Sequence, residues 1–386
     1  MIKPFITSWR AVLSTLLLST VLYTTAFCQV DILIGKKEKL HSVILGEDRE
    51  YWVHLPANYN NPNYPTQTYP VIYLLDGDSH FHSLTGITQF LSKGLYARMP
   101  EMIIVGILNT DRTHDLTPTH SDIQSLNGVS ASFPTSGGGE TFLNFLTHEL
   151  IPKIESGYRT NGYRIFTGHS FGGLTVMNTF INHTELFNAY IAIDPSMWWD
   201  HEKLLNTIPE TFRLDKFAGK SLYLSLAHKE LTSIDTTTEH TRAIGKLAEL
   251  LRTSAPEKLR WHFQYFADED HGSVPLASGL YGLKFIFEGY QSQVKELALK
   301  PALYTASYQK LADQLGFAIL PAEYLTDWIG QYCLKEKKLD SALFFFELNH
   351  QNYPQSLHAI KVLADAYQLK GDSVKANQLK KLLSKN

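Results

Sequence analysis

Five short apolar runs, Val71 to Leu75, Met102 to Ile107, Arg164 to Thr167, Ala189 to Ile193 and Leu222 to Leu226, are separated by helical stretches. Nothing else in the sequence constrains the fold as tightly. Strands buried on both faces read as continuous apolar runs, and helical crossovers between such strands produce a parallel sheet covered on both sides. The helical stretches include Glu140 to Glu155 and Phe171 to Asn182, while Arg242 to Arg252 precedes a last strand at Leu259 to Phe266. Ahead of them, Val43 to Leu55 reads as paired strands turning at Gly46-Glu47-Asp48, followed by a Pro- and Asn-rich loop from Asn58 to Tyr69. The expectation is an α/β fold with a mostly parallel central sheet and helices on both faces.

Beyond about residue 291 strand signals stop, Gly becomes rare, and Leu, Ala and Lys dominate. Aligning Leu339-Asp340-Ser341-Ala342 with Asp372-Ser373-Val374-Lys375-Ala376 sets Ala342 and Ala376 34 residues apart, with Ile329 over Leu363 and Gly330 over Ala364. This period resembles tetratricopeptide repeats, in which small residues let paired helices approach closely. Two such repeats fall short of the three usually needed to stand alone, so the tail is expected to lean on the preceding body. The organisation read from the chain is a leader over 1–28, an α/β domain over 29–290 and a small all-α helical-repeat domain over 291–386. A helical cap and a peptide-docking surface for a protein partner are the two uses such a tail suggests.

The leader follows from Lys3 and Arg10 preceding the apolar run Ala11 to Phe27, the shape of a secretory signal. Thr and Ser interrupt the run, which suits a removable signal better than a span of a hydrocarbon core roughly 30 Å thick. Cleavage is expected between Cys28 and Gln29, giving a periplasmic or secreted product with no transmembrane span in the mature chain. Lipid anchoring through Cys28 is the alternative. The mature chain then keeps Cys333 alone, so it can form no internal disulfide. With 44% hydrophobic and 19% charged residues the chain can bury a sizeable core. A formal net charge of -3 leaves no excess of Lys and Arg for phosphates, which argues against a nucleic-acid partner.

Gly168-His169-Ser170-Phe171-Gly172 fits G-x-S-x-G, and its flanks give the pattern meaning. A β-type run precedes it, and Leu174, Met177 and Ile181 follow on one helical face: strand, elbow and helix. Gly168, Gly172 and Gly173 let the helix approach the strand, which exposes the Ser170 hydroxyl and aims the first amides of the helix at developing negative charge. A plain helix-capping serine is the competing reading. Such a hydroxyl needs a base, usually a His later in the chain. His271, in the polar loop Asp268 to Ser273 after the last strand, is the candidate; His228 is a rival, and His80 and His82 lie too early. The acid that orients the base is assigned to Glu230, with Asp235 and Asp194 as alternatives. The amides of Phe171 and Asp78 form the expected oxyanion pair, His169 borders the pocket, and Asp268 and Asp270 are read as solvated loop charges. No His, Cys and carboxylate spacing suggests a metal, and no cofactor is implied.

On these residues the chain from 40 to 290 resembles the Putative esterase family, which includes enterochelin and trilactone siderophore esterases, feruloyl and acetyl-xylan esterases, and mycolyl-transferring enzymes. The likeness rests on Tyr73-Leu74-Leu75-Asp76-Gly77, Asn109 to Pro118, Gly168 to Gly173, and Asp194-Pro195-Ser196-Met197-Trp198-Trp199. It implies a serine esterase of the siderophore-esterase type, with Ser170 as nucleophile, His271 as base and Glu230 as acid. It also implies Arg112 as a contact for an anionic substrate, where pairing with Asp111 or Asp115 is the structural alternative, and Trp198 beside the substrate. A carbohydrate esterase, an acyltransferase, and an exported interaction protein on an inactive hydrolase scaffold are the other readings. The substrate expected is a small-molecule or glycan ester.

Overall fold

The computed structural model describes residues 32–384 except 122, 127–128, 229–237 and 292. The strands are β1 (Lys36–Ser42), β2 (Glu47–His54), β3 (Tyr69–Leu74), β4 (Ile103–Ile107), β5 (Ile123–Leu126), β6 (Val129–Ser132), β7 (Thr160–His169), β8 (Ala189–Ile193), β9 (Ser221–Ala227) and β10 (Arg260–Phe266). Eight of them make one sheet in the order β1-β2-β4-β3-β7-β8-β9-β10, and β5 and β6 form a separate hairpin. β1 and β2 run antiparallel to their neighbours; from β4 to β10 every pairing is parallel. All five apolar runs therefore lie in the sheet, and β3, β4, β8 and β9 are buried along their whole length, as strands covered on both faces must be.

The first strand pair sits further upstream than the sequence suggests. Val43 to Leu45 lie in the turn, closed by Gly46 N–H donating to Ser42 O at 3.0 Å, and Lys36–Ser42 is the outer strand. An edge strand whose Lys side chains face water carries no apolar run to announce it.

Alternate residues of each strand feed two cores. Tyr69, Val71 and Tyr73 of β3 join a core with α3 (Gly139–Phe145), α4 (Ile151–Gly157), α5 (Phe171–Asn182), α6 (Trp199–Thr211) and α7 (Thr238–Ser254). Ile72 and Leu74 join the opposite core with α1 (Gly77–Ser92) and α8 (Val274–Ile286). A short helix, α2 (Arg112–Leu116), follows β4.

The opposite core continues into the C-terminal helices α9 (Val294–Leu297), α10 (Ala302–Leu315), α11 (Glu323–Lys335), α12 (Leu339–Asn352), α13 (Leu357–Lys370) and α14 (Ser373–Leu383). Tyr304, Leu311, Ile329 and Phe345 belong to the same apolar cluster as Ile72, Phe81 and Leu283. Two helical hairpins, α11 with α12 and α13 with α14, begin 34 residues apart. Gly330 allows α11 to pack closely on α12, because a Cβ there would lie 2.4 Å from the Phe346 ring. Tyr64 donates to Asp327 at 3.0 Å and Thr66 to Glu323 at 3.1 Å, tying the β2–β3 loop to α11.

Candidate active site

The elbow is built by contact between backbones. A Cβ on Gly168 would stand 2.6 Å from the Gly172 carbonyl, and one on Gly173 would stand 2.9 Å from Ile193 O, so neither position tolerates a side chain. Ser170 sits between β7 and α5 with φ 60° and ψ -116°, a strained conformation of the kind that persists only where surrounding structure dictates it. Here that structure is β8: Ser170 N–H donates to Ile193 O at 3.1 Å, and Ser196 N–H donates back to Ser170 O at 3.1 Å. The Ser170 hydroxyl lies 3.3 Å from that of Ser196. The chain that clamps the serine is thus the one that carries Asp194.

Asp194 follows β8 in a left-handed turn, φ 43°, and is 1% exposed. Its Oδ2 meets His271 Nδ1 at 2.7 Å, and its Oδ1 accepts Ala227 N–H at 3.0 Å. His240 of α7 brings Nε2 to 3.2 Å from the same Oδ2, without in-line hydrogen-bond geometry. Burial alone would push this carboxyl up, but the two histidines outweigh it and hold Asp194 well below the usual carboxylate range. With Nδ1 committed to Asp194, the His271 ring is left with Nε2 for other work. Its loop is stiffened by Asp270, whose Oδ1 accepts Gly272 N–H at 2.8 Å and Ser273 N–H at 2.9 Å. Asp270 is therefore a turn former rather than a freely solvated charge. Glu230 and Asp235 lie outside the described residues; among the described residues the carboxylate that meets His271 is Asp194.

His169, one residue before Ser170, lies with its ring 4.4 Å from that of His271 and 5.8 Å from that of His80. Burial, reinforced by His271, pushes its imidazole down to about 3, so His169 stays neutral beside His271. Its Nε2 is buried without a partner among the described residues. Trp198 is half-buried and packs against Phe171, ring centroids 6.1 Å apart, whereas Trp199 is core and donates to Thr119 O at 3.1 Å. His228 lies apart from this cluster, its amide bonded to Phe266 O and Glu269 O.

Phe171 is the first residue of α5 and Asp78 stands in the first turn of α1, where amides lack partners within their own helix. The two turns are fastened together by Arg112. Its Nε and Nη2 donate to the two oxygens of Asp76 at 2.6 and 2.9 Å, and Nη2 reaches His169 O at 3.3 Å. Asp76, 4% exposed with φ 51°, also accepts Asn109 Nδ2 at 2.8 Å and lies against Gly172. Arg112 pairs with neither Asp111 nor Asp115: Asp111 caps α2, and Asp115 takes Arg49 at 2.5 Å. The pairing half of the alternative is thus realised with a carboxylate 36 positions away.

Among the described residues, His169, Asp194 and His271 each bring one ligand atom within 4.8 Å of the others and could clasp a metal ion. Two ligands of a tetrahedral ion at 2.0–2.1 Å would stand about 3.3 Å apart, however, so the 2.7 Å contact between Asp194 and His271 is that of a hydrogen bond.

A mostly parallel sheet in this order, with a glycine-flanked serine elbow at its strand ends and an Asp-His pair beside it, defines the α/β-hydrolase class. The family model described as Putative esterase matches residues 42–224. The ferri-bacillibactin esterase BesA of Bacillus subtilis is 30% identical over 244 residues, 59% of this chain and 81% of that protein. The chain belongs to the Putative esterase family and is a hydrolase. The apo-salmochelin esterase of Escherichia coli is 27% identical over 211 residues, 52% of this chain and 62% of its own length. Among solved structures, an IroE-like serine hydrolase from Shewanella oneidensis superposes with a TM-score of 0.75 at 30% identity, covering 82% of this chain and 99% of that one. Such a span exceeds what residues 1–290 can supply, so the likeness reaches into the C-terminal helices.

Proposed function

We propose that this protein is a serine esterase that hydrolyses the ester bonds of siderophores through an acyl-enzyme. The observation that carries the mechanism is the 2.7 Å bond from His271 to Asp194, made beside a serine elbow whose backbone is bonded to the residue before Asp194. Ser170 Oγ attacks the ester carbonyl while its proton passes to His271 Nε2. Negative charge collects on the carbonyl oxygen, facing the amides of Phe171 and Asp78. The carbon–oxygen bond to the leaving alcohol breaks, and that alkoxide takes the proton from His271. Water, deprotonated in turn by His271, attacks the acyl-serine; the bond to Ser170 Oγ breaks, Ser170 takes the proton back from His271, and the acid is released. Asp194 holds the imidazole in the tautomer with Nε2 free and stabilises the imidazolium.

The substrate class is supported by the relatives named as esterases of ferri-bacillibactin and apo-salmochelin. Export completes the reading, with residues 1–28 as a signal lost before the enzyme works. Among the described residues no helix is long and apolar enough to cross a membrane. The decisive test is a fluorophosphonate probe on the full chain. Wild type is expected to label at Ser170 and Ser170→Ala not at all; folded wild type that fails to label would overturn the mechanism. Hydrolysis of a trilactone siderophore beside feruloylated and acetylated xylans tests the substrate, and turnover confined to the xylans would overturn that half.

A further inference from the structure

We infer that His240 is a positioning residue for the reaction proposed above, sharing Asp194 with His271 and so setting how readily His271 takes a proton. The inference rests on the serine-esterase reading. His240 Nε2 stands 3.2 Å from Asp194 Oδ2, the oxygen that His271 Nδ1 meets at 2.7 Å. The two rings meet edge to face, centroids 5.2 Å apart and planes at 86°. His240 is 7% exposed, and its Nε2 has no in-line partner among the described residues. A bare ring nitrogen turned toward a buried carboxylate would be repelled, so the tautomer that fits carries its proton on Nε2. An off-line contact at this distance is what a resting active site shows before its hydrogen bonds tighten.

Asp194 is thus held from three elements: β9 through the Ala227 amide, the loop after β10 through His271, and α7 through His240. Two imidazoles drawing on one oxygen divide its negative charge. Whether His240 is neutral or charged, its N–H draws charge away from His271, and its removal concentrates that charge on His271. A more negative neighbour favours the protonated imidazole, so the base then becomes available only at higher pH. Among the described residues, the charged and titratable groups facing His240 are Asp194 and His271. On its own helix Arg242 and Lys246 are turned to Glu202 of α6, at 3.6 and 2.5 Å.

The experiment measures the rate of fluorophosphonate labelling of the full chain against pH, in wild type, His240→Phe and His240→Gln. All three are expected to label at Ser170. The acid limb of the His240→Phe profile is expected to move up by roughly half a pH unit to one unit, and His240→Gln, which keeps an N–H near the same place, to restore most of it. A limb that stays in place, or moves down, while the circular dichroism is unchanged overturns the inference. Uniform slowing at every pH is the signature of a merely structural role and overturns it too. His240→Leu carries the same criterion should His240→Phe not fold. Wild type that does not label sinks the esterase reading, an outcome distinct from any of these.

Discussion

Two regions of the molecule bury carboxylates almost equally and treat them oppositely. At the strand ends Asp194 is 1% exposed; at the junction between the sheet and the C-terminal helices Glu101 is 6% exposed. Asp194 has a donor for each oxygen and two imidazoles at Oδ2, and it is held in its charged form. Glu101 has Asn58 at 3.0 Å on one oxygen and no partner for the other among the described residues. Burial, only partly offset by Asn58, pushes it up to about 7. Glu323 Oε1, Asn349 Oδ1 and the hydroxyls of Tyr69, Tyr290 and Tyr308 are likewise unpartnered and buried there. Donor count, not burial, decides which carboxylate stays ionised. The strand ends hold the charge of Asp194, and the surroundings of Glu101 disfavour one.

The harshest way to probe the charged region is to remove its chemistry. Ser170→Ala is expected to lower kcat for ester hydrolysis on the order of 10⁶-fold with the fold intact, as measured by turnover and circular dichroism. Asp194→Asn keeps the shape of the side chain but cannot stabilise an imidazolium, and it should cost roughly 10³- to 10⁴-fold. A loss of less than tenfold would show that the charge of Asp194 is not what the strand ends are built around. In the pH direction, Asp194 contributes stability that is present above the ordinary carboxylate range and is lost as pH falls through its depressed value.

The neutral region responds with the opposite sign. Because its folded-state value is raised, Glu101 contributes stability that is fully present below about 4.5 and is lost as pH climbs through about 7. The loss amounts to about 3 kcal/mol across that window. Glu101→Gln cannot ionise, so its Tm measured against wild type should rise steadily from pH 5 to pH 8. A constant difference would mean that Glu101 titrates as an ordinary surface acid, and the contrast between the regions would collapse.

How much of this was legible in the sequence follows from range. Ser170 was readable because the glycines that shape its elbow are its immediate neighbours and each has a steric reason to be there. The place of His271 in the loop after the last strand is readable from chain order alone. The carboxylate that meets His271 is not singled out, since the order serine, acid, histidine admits any carboxylate between Ser170 and His271: Asp194 stands there only as an alternative to Glu230, which lies outside the described residues. A signal was present: Asp194 ends the wholly apolar run Ala189 to Ile193 and precedes Pro195, where a carboxylate must be buried and therefore needs partners. His240 left no such trace, because it meets Asp194 only through the packing of α7. The C-terminal hairpins were legible from their 34-residue period, but a helical stripe says that a face is covered and not by what.

The smallest expected effect tests the strut that joins the two halves of the proposed oxyanion site. Arg112 uses the geometry of its guanidinium: two parallel donors on Asp76 and a third contact to His169 O. Lysine keeps the charge and loses the fork. Arg112→Lys should therefore retain an ion pair with Asp76 while releasing the carbonyl before Ser170, destabilising the fold by about 1–2 kcal/mol in denaturant melts. If Arg112 fixes the turn of Asp78 against that of Phe171, kcat should fall by about tenfold with KM little changed, since a misplaced oxyanion donor is felt in the transition state rather than in binding. If Arg112 instead grips an anionic substrate, KM should rise while kcat holds, and the strut would be secondary.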